Sequence, residues 1–189
     1  KIILLALCTV LSALSVPTLA QQPKKVPRIG FLTATSASAY VSRVEAFRQG
    51  LKDLGYFEGK NIIIEYRFAE EKVDLVPNLA EELVHLKVDI ILTGGGTSTR
   101  AAKQATVTIP IVMGFDNDPV GSGFVASLAR PGGNVTGLST LAPEISGKQM
   151  ELLKETLPKL SRVAVFENSS APGNAQALKE IELAAGAFG

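Results

Sequence analysis

The sequence predicts an α/β fold, a Rossmann-like parallel sheet with helices on both faces, and three observations lead there. Short apolar, β-branched runs alternate with segments of helical period about ten to fifteen residues long. Those runs are almost continuously apolar, as strands buried on both faces are. No repeat or low-complexity tract interrupts the alternation across the 189 residues.

The first twenty residues stand outside that pattern. Lys1 is followed by a nearly unbroken apolar stretch, Ile2 to Val16, and then Pro17-Thr18-Leu19-Ala20. A charged start, an apolar core of this length and small residues at positions 18 and 20 describe a secretory signal peptide, cleaved before Gln21. About 15 apolar residues fall short of the ~20 a membrane-spanning helix needs. Cys8, the only cysteine, lies inside this segment and too early for a lipid-anchor site, so the mature chain is expected to have no thiol chemistry. Removing Lys1 leaves 18 basic against 18 acidic residues. Such a balance lacks the clustered basic excess that nucleic acid would require.

The elements follow in order. Arg28 to Thr33 is the first strand, and after small residues to Ala39 the helical spacing of Val44, Phe47, Leu51 and Leu54 gives a helix ended by Gly55. Ile62 to Tyr66 is the second strand. Asp74 is placed to cap the next helix, with Pro77 in its first turn and Val76, Leu79, Leu83 and Leu86 on one face. Val88 to Thr93 is the third strand, Gly94-Gly95-Gly96 a loop, and Thr97 to Thr106 a helix. Ile109 to Phe115 is the fourth strand.

Beyond it, Asp116, Asp118, Pro119 and Gly121 form a turn, and Phe124 to Ala129 fit a short helix. Arg130-Pro131-Gly132-Gly133-Asn134 stop that helix, and Val135 to Leu138 are extended. The alternation then restarts. Ile145 to Leu157 is amphipathic, with Ile145, Gln149, Leu152 and Leu153 expected inward; Arg162 to Phe166 reads as a buried strand, and Ala175 to Ala187 as a helix.

Asp118-Pro119-Val120-Gly121, together with Ala129-Arg130-Pro131-Gly132-Gly133-Asn134-Val135-Thr136-Gly137, resembles the bacterial ABC transporter substrate-binding protein family, in its tryptophan/tyrosine-type branch. The likeness extends more loosely from Arg28 to Asn168. It implies a type I periplasmic-binding fold: two Rossmann-like lobes with solute held between them. On that reading residues 1–20 are the signal peptide, 21–138 the first lobe, 139–143 the hinge and 144–189 an incomplete second lobe. Relatives carry a complete second lobe, so the chain as given is expected to be truncated and a weak binder.

In open parallel sheets ligands bind outside the carboxyl ends of the strands, where strand order reverses. Three loops meet that condition: Thr33–Tyr40, Gly94–Ser98 and Phe115–Pro119. Ser36, Ser38, Thr97 and Ser98 offer hydroxyls there. Gly95 sits in a Gly-rich helix start, where free amides and the helix dipole favour an anion such as an amino acid's carboxylate. The other reading of that loop is a tight turn with Thr97 as helix cap. Asp116 is the candidate partner for a solute ammonium, whereas Asp118, before Pro119, shapes the turn. Tyr40 and Phe115 can stack on an aromatic solute, Phe115 equally serving as core. Asn168, in the loop after the 162–166 run, completes the candidate set.

Catalytic machinery is not legible. His85, the only histidine, falls near a helix end and reads as a surface residue, and no GxSxG elbow or phosphate loop occurs. With no cysteine in the mature chain, a zinc site is not expected, nor any cofactor. The function expected from the resemblance is that of a non-enzymatic, exported component of an ABC import system. It would bind a small polar or aromatic solute, an amino acid among the candidates, and pass it to a permease in the cytoplasmic membrane. The alternative is an exported doubly wound enzyme acting on a small anionic metabolite.

Overall fold

The computed structural model describes residues 25–168 and 172–188; the expected signal peptide lies outside them. Five strands form one parallel sheet: β1 (Arg28–Thr33), β2 (Ile63–Phe68), β3 (Ile90–Gly94), β4 (Ile111–Asp116) and β5 (Val135–Ser139), in the order β2-β1-β3-β4-β5. The helices are α1 (Ala37–Asp53), α2 (Val76–His85), α3 (Gly96–Ala105), α4 (Ala142–Thr156) and α5 (Asn174–Gly186).

The connection from β1 to β2 runs to one side of β1, and the next crosses back to place β3 on its other side. Strand order therefore reverses between β1 and β3, and the chain leaves their carboxyl ends in opposite directions. The reversal also puts the helices on both faces. α2 and α3 cover one face, where Leu32, Val76, Ala80, Leu83, Ile91, Ala102, Ile111 and Met113 make the larger core. Packing there is close: a methyl group on Gly30 of β1 would stand 2.9 Å from both Leu83 methyls. On the other face α1 covers β1 and β2 through Phe31, Tyr40, Val44, Phe47 and Ile64. Phe31 meets Tyr40 edge-on, with ring centroids 5.9 Å apart. Leu54, expected inward, lies beyond the end of α1 and is exposed.

Four local expectations are corrected. Asp74 does not cap α2: it sits in a 3₁₀ turn, Val73–Leu75, whose backbone satisfies the Val76 amide, so no side-chain cap is made. Pro77 is in the first turn as expected. Phe124 to Ala129 is irregular and not a helix. The Phe124 and Val125 amides both go to the Pro119 carbonyl and Ala126 donates to Pro131, bonds that exclude the helical ladder. So short a helix has little intrinsic stability to oppose them.

Arg162 to Phe166 is not a strand. It has no paired neighbour among the described residues, and Val163, Val165 and Phe166 are exposed. A single strand without a partner has no ladder to hold it. On α4 the inward face is also displaced: Ile145, Gln149, Leu152 and Leu153 are exposed, while Pro143 and Met150 are buried. The packed stripe runs through Pro143, Gly147 and Met150. Gly147 faces α5, a methyl there reaching the Glu180 backbone at 3.5 Å. A stripe centred on glycine is invisible to a search for apolar side chains.

Candidate functional site

The three glycines from the end of β3, Gly94 to Gly96, organise the carboxyl end of the sheet, each touching a different neighbour. A methyl group on Gly94 would stand 2.6 Å from the Tyr40 hydroxyl and 3.0 Å from Thr33 Oγ1. On Gly95, whose φ of +111° is one that L side chains avoid, it would meet the Phe115 ring at 3.4 Å. On Gly96 it would lie 3.1 Å from Asp116 Oδ2 and 3.0 Å from Pro172 Cβ. Aromatic rings and a carboxylate thus converge on one backbone stretch because no side chain stands in the way.

Asp116 ends β4 and is 1% exposed. Its Oδ1 accepts from the Asp118 amide at 3.1 Å, but Oδ2 has no partner among the described residues. Burial pushes its carboxyl above the ordinary range, and the Asp118 charge adds to this, while the amides of residues 117 and 118 oppose it. Asp118 shapes the turn as expected, its Oδ1 accepting from the Gly121 amide at 2.8 Å.

α3 begins at Gly96 with Gly95 as its cap residue, so Thr97 is inside the first turn and does not cap it. Among the described residues no side chain occupies that cap, which leaves the first amides of the helix to other acceptors. Ser98, two residues in, is fully buried, and its Oγ is likewise unpartnered among the described residues. The neighbouring Thr99 is spoken for, bonded to Thr93 Oγ1 at 2.8 Å and to the Gly95 carbonyl.

Tyr40 and Phe115 lie on the α1 face. The register of β4 shifts after Met113, so Phe115 lines the same cavity as Gly114, while Asp116 is buried against the start of α3. That cavity, about 680 Å³, is bordered by Phe31, Tyr40, Phe47, Leu92, Phe115 and Leu138, with Arg43 over the Tyr40 ring at 5.1 Å. Burial raises the Tyr40 phenol above its usual value. The nearby Thr33 hydroxyl and the Arg43 charge oppose that rise, yet no bond to the phenol hydroxyl is completed among the described residues.

The structure therefore brings Tyr40, Gly95, Ser98, Phe115 and Asp116 around one loop. Thr97 is on the same helix start, partly exposed. Ser36 is used as the cap of α1, its Oγ accepting from Ala39 and lying 3.2 Å from the exposed Ser38 Oγ. Asn168 is exposed, its carbonyl accepting from Asn174 Nδ2 at 2.9 Å, four residues before Pro172. Residues missed from sequence are Arg43, Pro172 and Gly173. Arg43 follows Tyr40 at helical i+3 spacing, and Pro172-Gly173 is a turn dipeptide just before a helix, so both left a faint signal. His85 is on the surface, as expected. Among the described residues no group of three His, Cys, Asp or Glu can hold a metal, and no helix is long and apolar enough to cross a membrane.

Residues 28–189 match the family described as ABC transporter substrate binding protein. A tyrosine-binding protein of Clostridioides difficile is 35% identical over 147 residues, 78% of this chain and 42% of the relative. A conserved domain protein of Vibrio cholerae superposes with a TM-score of 0.79 at 31% identity, over 87% of this chain and 55% of the other. A Streptococcus pneumoniae ABC domain in complex with L-Trp gives 0.77 at 26% identity, covering 86% and 54%. A ligand-free, open substrate-binding protein with adhesive properties from Clostridium difficile gives 0.65 at 28% identity, with the same coverage. The chain thus spans about half the length of these relatives. At equal coverage it follows the L-Trp complex more fully than the open structure.

Proposed function

The chain belongs to the ABC transporter substrate-binding protein family, and from that premise we propose that it captures an aromatic amino acid outside the cytoplasmic membrane and passes it to an ABC permease. One observation carries the reading: around Gly94–Gly96, aromatic rings stand on one side and, on the other, a buried carboxylate with one oxygen unpartnered among the described residues. An α-amino acid has complementary parts. Its ammonium satisfies Asp116 Oδ2, its carboxylate takes the uncapped amides of α3 and the Ser98 hydroxyl, and an aromatic side chain finds Phe115 and Tyr40 along the same loop. The names of the tyrosine-binding relative and the L-Trp complex support the same class.

On this reading residues 1–20 direct export. Residues 21–138 and 144–189 belong to two lobes, and the link at 139–143 is the hinge. Leu141 in that link has a left-handed φ of 53°, and the Thr140 amide is tied to the Asp116 carbonyl at 2.9 Å. Movement about the link is therefore mechanically close to the solute's carboxylate partner. Isothermal calorimetry tests the reading. L-tryptophan, L-tyrosine and L-phenylalanine should bind, whereas indole and p-cresol, which lack the charged head group, should not. Heat from the head-group-free compounds equal to that from the amino acids would overturn it, as would no heat from any of the three.

A further inference from the structure

We infer that the turn joining α1 to β2, Leu54 to Asn61, is a membrane-contact surface that seats the lobe on anionic phospholipid headgroups. It lies at the amino end of the sheet, away from the solute loops, and does not depend on which solute they take. Leu54, Tyr56 and Phe57 are 75%, 42% and 45% exposed there, three large apolar side chains within four residues. The backbone of the turn is closed on itself. The Tyr56 amide donates to the Leu51 carbonyl at 2.8 Å and the Lys60 amide to the Phe57 carbonyl at 3.0 Å. Asn61 ties the turn together, its Oδ1 accepting from the Phe57 amide at 2.6 Å and its Nδ2 donating to the Gly55 carbonyl at 2.8 Å. Gly55 and Gly59 supply the left-handed φ values, +84° and +78°, that such a tight path needs. Polar groups are thus engaged inside the turn while the apolar side chains are held outward. A rigid apolar projection of this kind marks an interaction surface.

The charges around the turn select the partner. Arg48, Lys52 and Lys60 border Tyr56 and Phe57 in one shallow groove of about 140 Å³. That is well under the roughly 300 Å³ of a pocket that encloses a small molecule. Of the acids on the turn, Glu58 is paired with Arg48 at 2.9 Å, and Asp53 accepts from Gln49 Nε2 at 2.7 Å. Among the described residues Lys52 and Lys60 have no carboxylate partner, and Lys60 Nζ stands 5.7 Å from the centroid of the Phe57 ring. Ammonium groups beside exposed aromatic rings match a bilayer surface, where rings settle at headgroup depth and lysines meet phosphate. The place where the chain enters the fold agrees. The Ile63 amide donates to the Pro27 carbonyl at 2.9 Å, so residues 1–24, with the apolar run Ile2–Val16, join the sheet beside this turn. On the export reading that run meets the bilayer first and brings this end of the lobe to it. The loops at the carboxyl ends of the strands are then left facing solvent.

The chain contains no tryptophan, so Phe57→Trp places a single fluorescent reporter on the turn. Val120→Trp, at an exposed position near the other end of the sheet, is the control. Tyr56→Trp is a second reporter on the turn should Phe57→Trp prove poorly folded. With vesicles of phosphatidylglycerol and phosphatidylcholine in equal parts, emission from the turn should move to shorter wavelength and be quenched by brominated lipid, while the control stays unchanged. Adding Lys52→Gln and Lys60→Gln to the reporter should weaken the association about thirtyfold, the effect of two cations lost from an anionic surface. Raised salt should weaken it as well. No shift from either turn reporter, an equal shift from the control, or an equal response to pure phosphatidylcholine would each overturn the proposal. So would a shift that grows with protein concentration in the absence of vesicles, which would assign the turn to a second copy of the chain.

Discussion

Asp116 and Gly96 are in direct apposition: the carboxylate that ends β4 rests on the first residue of α3, with 3.1 Å between Oδ2 and the place a methyl group on Gly96 would occupy. The positive end of the helix dipole favours the negative charge there, while burial disfavours it. Burial prevails, and the carboxyl is held above its ordinary range.

Asp116→Asn should therefore separate binding from stability. A charge-assisted hydrogen bond contributes about 1.5–3 kcal/mol, so affinity for an aromatic amino acid should fall roughly ten- to hundredfold. Stability should change in the opposite direction. A carboxyl whose pKa is raised in the folded state binds more protons folded than unfolded, so wild-type stability falls as pH rises from the ordinary value of 3.8 through the raised one. The asparagine variant lacks that decline. Melting curves at several pH values should show its advantage absent at pH 3 and present by neutral pH. A constant difference across that range would contradict this account.

Asp118→Ala should behave in reverse. It removes the acceptor of the Gly121 amide and keeps the Cβ that faces Gly173. A cap-type loss of about 1 kcal/mol is expected in denaturant melts, with solute affinity within twofold of wild type.

Gly30→Ala tests the packing of α2 on β1. The added methyl would stand 2.9 Å from both methyls of the fully buried Leu83, which must shift in a close-packed core. Overpacking of this kind costs about 1–3 kcal/mol. The paired substitution Leu83→Val should recover part of the loss; no recovery would place the strain elsewhere.

Export should leave Gln21 as the first residue. Mass spectrometry of protein recovered from outside the cytoplasmic membrane checks this, and an intact Lys1 there would remove the basis for a cleaved signal.

The sheet was legible because its strands announce themselves. Ile62–Tyr66 is a β-branched run and Ile109–Phe115 an apolar one, neither with a competing periodicity, and each overlaps a real strand. Asp116 was legible as a candidate because a charged residue directly after an apolar strand stands out, and the structure buries it there. What failed did so for local reasons. The stripe on α4 is organised by Gly147, which has no side chain to detect, and Arg162–Phe166 has strand composition but no described neighbour to pair with. The place of Pro172 and Gly173 beside the end of the sheet could not be read at all. Pro172 meets Gly96 and Gly173 meets Asn117 and Asp118, contacts more than fifty residues distant in sequence that no periodicity encodes.

The strand order also sets when the site can exist during folding. β1 is made first, yet its inner neighbour is β3, so Ile29 must wait for Ile90, about sixty residues later. Closing loops of that size carries an entropic cost before any contact offsets it, and parallel sheets rich in such pairings fold slowly. The site's walls come from the ends of β1, β3 and β4, at Thr33, Gly94 and Asp116. None of them is in place until the long-range pairings have formed. In stopped-flow refolding, solute capture should therefore lag behind the recovery of helical signal, making the binding site the last property the chain acquires.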